Sequence, residues 1–161
     1  MRIAHDIYSE TNPAFWAFAL LAFIDAYTVT KGQGPDLPIA YLALPIALSA
    51  DLGPSFDGTN KKTGLQVWLQ RRPEVQVALA ARVNASLGIV TDAIRLSAFS
   101  GVAVVGADGR LGMGQHMVKA GAIKALSEGP AQAIKRAARV GCWFADAGST
   151  RTVFDMMGLT V

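Results

Sequence analysis

Apolar residues crowd the first third of the chain with little periodicity, and turn residues divide them into blocks. Asn12-Pro13 sets a capping residue before a proline at the first helical position. Phe15, Trp16, Phe18, Leu20, Leu21, Phe23, Ile24 and Tyr27 follow, predicting a helix that is apolar on nearly every side. Lys31-Gly32-Gln33-Gly34-Pro35 ends it. Residues 37–49 resume as a second apolar helix with Pro38 in its first turn and Pro45 inside, where the missing N–H predicts a kink or break. The charge-free runs 13–24 and 37–48 are twelve residues each, short of the roughly 18 to 20 that span a bilayer, so buried core helices and no membrane partner are expected. Two such helices need apolar partners, either elsewhere in the chain or on another subunit.

Residues 50–63 (ADLGPSFDGTNKKT) read as a loop and a subdomain boundary. Three helices are then predicted: 64–70, stopped by Arg71-Arg72-Pro73; 73–87, starting on its proline; and 91–100, with Thr91 as N-cap and Gly101 as stop. Two β-favouring runs, 102–105 and 110–113, flank Gly106-Ala107-Asp108-Gly109 as a hairpin. Helix, helix, helix, hairpin is the order of a winged helix-turn-helix module, with 91–100 in the recognition position and 107–110 at the wing tip. That recognition segment offers only Arg95, beside Asp92, to read bases, so a scaffold for protein contact is favoured over sequence-specific DNA reading. Residues 115–128 form a weaker helix and 130–147 a stronger one. Gly148 stops it, and Ser149 or Thr150 caps a last short helix over 153–157. The fold class is mainly α with one β-hairpin, a single domain over 1–161. It comprises an apolar helical pair (1–50), a winged-helix-like segment (62–114) and C-terminal helices (115–161).

Composition sharpens this picture in three ways. With 161 residues, 52% hydrophobic and only 17% charged, the chain is too apolar for disorder, and some apolar surface is expected to meet a partner. One cysteine, Cys142, excludes an internal disulfide and suits a reducing cytoplasm; the first twelve residues carry Asp6 and Glu10 and no apolar run, unlike a secretory signal. The net charge of +3 is unevenly spread: residues 1–60 hold two basic and six acidic residues, and residues 61–161 hold thirteen and six. The basic half can meet nucleic acid backbone or an acidic protein.

Its cations form candidate contact clusters: Lys61-Lys62, Arg71-Arg72 and Lys135-Arg136 with Arg139, joined by Arg95 and Arg110. Phe15, Trp16, Trp143, Phe144 and Phe154 are candidates for a partner interface or for core. Catalytic groups are sparse. His5 and His116 sit where a preorganised base is not expected, Gly53-Pro54-Ser55-Phe56-Asp57-Gly58 lacks the spacing of a nucleophile elbow, and Gly106, Gly109, Gly112 and Gly114 make no phosphate loop. Cys142 in its apolar setting reads as a small hydrophobe, and the scattered carboxylates give no metal grouping. No catalytic residue, metal or cofactor is assigned.

Several stretches, taken in order and spacing, resemble one family. They are Asn12-Pro13-Ala14-Phe15; residues 37–45 (LPIAYLALP); Lys62-Thr63-Gly64-Leu65 with Trp68-Leu69; and residues 141–150 (GCWFADAGST) with Val153-Phe154 and Gly158. Together they resemble the middle component of three-component ABC systems, in which it accompanies an SMC-like ABC ATPase and an effector. Residues 112–129 do not share in the likeness. The resemblance implies a non-enzymatic adaptor in an anti-phage complex of the Lamassu kind. In such a complex the ATPase senses foreign double-stranded DNA and the middle component helps restrain the effector, often a nuclease. It supplies no catalytic residues to carry over. The alternative from the residues alone is a free-standing winged-helix DNA-binding regulator using Arg95, Arg110 and the clustered cations.

Overall fold

Asn12 caps the first helix through its side chain, Oδ1 accepting the Ala14 N–H at 3.0 Å, and α1 (Pro13–Lys31) follows. In the computed structural model, which describes residues 11–160, α1 continues a turn beyond the apolar stretch. It stops at Gly32, whose φ of 82° lets its N–H close on the Thr28 carbonyl at 2.8 Å. His5 and the non-secretory reading of residues 1–10 lie outside the described residues. By length and composition alone α1 could cross a membrane. Here it is the central strut of the core, with Leu20, Phe23 and Ile24 wholly buried.

The second helix, α2 (Leu37–Leu48), runs through Pro45 without the expected break. Pro45 cannot donate to the helix ladder, but all residues from Ile39 to Ala47 except Tyr41 are buried, and that packing holds the helix together across the lost rung. A 3₁₀ turn (Gly53–Phe56) and α3 (Leu65–Arg71) come next, then a second 3₁₀ turn (Pro73–Gln76) and α4 (Leu79–Phe99).

Here the structure differs from the helix bounds expected over 73–100. Pro73 opens one 3₁₀ turn instead of a helix to residue 87, and Ala78, left-handed at φ 53°, separates that turn from α4. The helix then passes Leu87 to Thr91 without a turn, so residues 91–99 are its C-terminal half and not a separate helix. Thr91 caps nothing: its Oγ1 bonds the Leu87 carbonyl at 2.8 Å and the Tyr41 hydroxyl at 2.7 Å. The reason is the inward stripe Leu79, Val83, Ser86, Val90, Ala93 and Ser97, which keeps helical spacing straight through Gly88. Continuous packing outweighs the local punctuation.

The hairpin forms as expected. Strand β1 (Ala103–Val105) pairs antiparallel with β2 (Leu111–Met113), Val105 opposite Leu111, and Gly109 takes the left-handed position at φ 77°. The α1–α2 connection covers the free edge of β2: the Leu111 N–H reaches the Pro35 carbonyl at 2.8 Å and the Leu37 N–H reaches Gly109 at 2.9 Å. Only glycine fits at position 34, because a Cβ would collide with the Leu111 carbonyl.

Of the weak helix expected over 115–128, only α5 (Ala120–Lys124) is present, ahead of the long α6 (Glu128–Ala147). Gly148 stops α6, and Ser149 caps α7 (Thr150–Met156), its Oγ accepting the Thr152 N–H at 3.1 Å. Lys31, at the end of α1, donates to the Gly148 carbonyl at 2.6 Å and sets a cation against the C-terminus of α6. The protein is thus mainly helical with one small two-stranded antiparallel sheet. α1 packs between α6 and α4, and α2 lies against both.

The tightest approach is at Gly141 of α6, where a Cβ would lie 2.7 Å from the Phe23 carbonyl oxygen and 3.2 Å from the Tyr27 nitrogen of α1. Gly141→Ala gains up to about 1 kcal/mol of helix propensity. It also crowds a backbone that cannot yield cheaply, at a cost of about 1–3 kcal/mol. Net destabilisation is expected in urea unfolding; a gain in stability would show that the two helices are not held this close.

Candidate functional site

Residues 50–63, which the sequence presents as a loop and a subdomain boundary, are anchored by aromatic packing. Phe56 stacks on Trp143 of α6 with centroids 5.8 Å apart and planes at 7°, while Trp68 of α3 lies 4.8 Å from Phe56 and 5.1 Å from Trp143. Both indoles donate into the loop, Trp68 to the Ser55 carbonyl at 2.9 Å and Trp143 to Asn60 at 3.0 Å. Two of the candidate cations complete this frame. Arg136 donates from Nε to the Ala47 carbonyl at 2.8 Å, in the last turn of α2, and its guanidinium lies 5.9 Å from the centre of the Phe56 ring. Arg139 donates to Thr59 Oγ1 at 3.0 Å and to the Phe56 carbonyl at 3.3 Å. Burial, and secondarily the charge of Arg139, holds Arg136 below the ordinary guanidinium value.

The remaining cations divide into paired and exposed. Arg110 lies 3.5 Å from Asp36 and 3.6 Å from Asp108, and Arg72 lies 3.7 Å from Glu74. Asp36 also accepts the Thr150 hydroxyl at 2.6 Å, tying the α1–α2 connection to α7 as well as to the hairpin. Near it, burial first and the Asp36 charge second raise the Tyr27 hydroxyl above its usual value. Arg82, which the sequence did not single out, makes a bidentate pair with Asp51 at 2.7 and 3.0 Å and donates to Ser49 Oγ at 2.6 Å. Lys61, Lys62, Arg71, Arg95 and Lys135 are exposed, but they sit on four separate elements: the turn before α3, the end of α3, α4 and α6. Of the candidate interface aromatics, Phe15, Trp16, Trp143 and Phe144 are buried, and Phe154 is half-buried against the core.

Among the described residues no group of three or more His, Cys, Asp and Glu could hold a metal, and Cys142 is buried. His116 is exposed, its Nδ1 2.9 Å from the Ser100 carbonyl. A carbonyl only accepts, so Nδ1 carries the proton and Nε2 of the neutral ring is an acceptor.

The feature that sequence reasoning missed is an apolar surface at the hairpin end. Phe18, Leu21, Ala22 and Asp25 of α1 form one wall of a groove of about 350 Å³, and Met113, His116 and Met117 contribute to the other. Met117 is 91% exposed. Nearby, the last turn of α4 presents Phe99 at 94% and Leu96 at 38% exposure, with Arg95 on the same side. The two regions are joined by hydrogen bonds from the His116 N–H to the Gly101 carbonyl at 3.0 Å and from the Gly114 N–H to Val102 at 2.9 Å. The signal available in the sequence was a phenylalanine ending a helix and two methionines, Met113 and Met117, after the hairpin turn, too sparse to mark a face.

Compared with known proteins, the chain matches the family model of the ABC-three component (ABC-3C) system Middle Component 3 over residues 2–161. No curated protein and no solved structure matches it.

Two expectations separate structural cations from available ones. Arg136→Ala removes a charged hydrogen bond to a helix-end carbonyl and is expected to cost about 1.5–3 kcal/mol. Lys135→Ala, one residue away but exposed, should stay within about 0.5 kcal/mol. Equal effects in urea unfolding would contradict this division. The second concerns Asp51, whose carboxyl the Arg82 hydrogen bond holds below the ordinary value. Stability from such a pair is fully present above the unfolded carboxylate value, about pH 4, and is lost as pH falls through the lower folded value. Arg82→Ala should therefore cost about 1 kcal/mol near neutrality. The gap to the unmodified protein should shrink below about pH 4 in a stability profile; a gap that is constant with pH would remove the pair from the account.

Proposed function

Because the chain belongs to the Middle Component 3 family of ABC-three component systems, we propose that it serves as a non-catalytic subunit joining an SMC-like ABC ATPase to an effector nuclease. In this reading it works in a Lamassu-like anti-phage complex of the cytoplasm and helps keep the effector inactive until the ATPase meets foreign DNA. The observation that carries the proposal is the family match, which runs along nearly the whole chain. Three features support it. The described residues gather no metal-binding group, the hairpin end exposes large apolar side chains of the kind that mark interaction surfaces, and the single thiol is buried.

Lys61, Lys62, Arg71, Arg95 and Lys135 remain available for an acidic subunit surface or for double-stranded DNA held by the complex. Arg136 and Arg139 are committed inside the chain. The free-standing regulator is the weaker reading, because α4 carries no turn ahead of residues 91–100.

The test is co-purification of the tagged protein with the co-expressed ATPase and effector of its own system, followed by an assay of effector activity. A stable complex whose effector becomes active when this subunit is omitted is the expected result. Recovery of a folded, DNA-binding protein that retains neither partner would overturn the proposal.

A further inference from the structure

We propose that the groove beside α1 is occupied by the C-terminal turn of α4 from a second copy of this chain, each copy inserting Phe99 into the other. The groove specifies an occupant by chemistry. Its walls are apolar, and Asp25 is the one charged side chain that lines it. His116, its other hydrogen-bonding side chain, has Nδ1 committed to the Ser100 carbonyl and leaves Nε2 as an acceptor. A body that fills this groove must therefore supply a large apolar side chain and a donor or cation beside it, and an acidic segment or a phosphate would be repelled by Asp25.

The last turn of α4 has those properties. Phe99 is almost wholly in water, Leu96 lies one turn back, and Arg95, four residues before Phe99, shares their face. An aromatic side chain left in this state loses most of the burial that usually stabilises it, which is the signature of an anchor awaiting a pocket. The anchor does not fill the groove of its own chain: Phe99 is exposed and is not among the residues that line it. Anchor and groove nevertheless lie at the same end of the molecule, so a two-fold axis between two copies can exchange both anchors at once. That gives a closed, self-complementary interface and not an open chain. In it Arg95 of each copy faces Asp25 of the other.

The proposal does not rest on the middle-component reading, and it is tested on the isolated full-length protein by sedimentation over a range of concentrations. A reversible dimer is expected. Phe99→Asp, Asp25→Arg and Arg95→Asp should each weaken it by about tenfold or more, and the double variant Asp25→Arg with Arg95→Asp should recover most of the loss. All three positions are exposed, and circular dichroism checks that each variant folds. A photo-crosslinking phenylalanine analogue at position 99 should label the α1 peptide around residues 18–25 of the other copy. A protein that stays monomeric at every concentration, a dimer indifferent to Phe99→Asp, a charge swap that fails to restore association, or a cross-link confined to residues 1–10 would each overturn the proposal.

Discussion

The backbone contact between α1 and α6 at Gly141 is the constraint on which the other packing depends. Glycine there lets the two helices approach until a single methyl group would meet the Phe23 carbonyl. That closeness lets α1 be buried on most of its circumference, with α4 and α2 completing the enclosure. An apolar helix of nineteen residues would otherwise be poorly solvated. Lys31 and Asp36 then fasten the far end of the strut, one to the C-terminus of α6 and the other to α7 and the hairpin.

A second consequence concerns charge. The C-terminal two-thirds carries the net positive balance, yet its cations do not act as a single field. Arg136 and Arg139 are turned into the chain, where a guanidinium can donate to backbone carbonyls and lie against an aromatic ring while its stem covers apolar surface. The lysines and the other exposed arginine positions stay in solvent. A basic sequence segment thus resolves into an internal scaffold and a scattered outer set, and only the latter is available to nucleic acid or to another subunit. The apolar hairpin end is the more concentrated feature of the surface, which accords with a subunit that works through protein contacts.

Local punctuation was legible wherever its energetics are local. Asn12, Gly32, Gly101, Gly148 and Ser149 end or begin helices as their residue types predict, and Asp108-Gly109 turns the hairpin, because capping and left-handed backbone depend on neighbours a few residues away. The same signals misled at Thr91 and Pro45, which read as a helix start and a helix break. There long-range burial outweighs a missing rung or an available cap, and the stripe of α4 and the packing of α2 override them. The division of the cations was not legible at all: the groups that hold Arg136 and Arg139 lie in residues 47–59, about eighty positions away in the chain.

The sequence by itself determined the helical class, the hairpin, most of the caps and the family, since propensity, capping and ordered motifs are written in near neighbours. Tertiary structure decided that residues 79–99 form one helix, that two arginines and two tryptophans build a frame around the 50–63 loop, and that Phe99 is left in solvent beside an apolar groove. Each of those outcomes depends on which distant surfaces meet, and burial is a property of the assembled layers that no window along the chain contains.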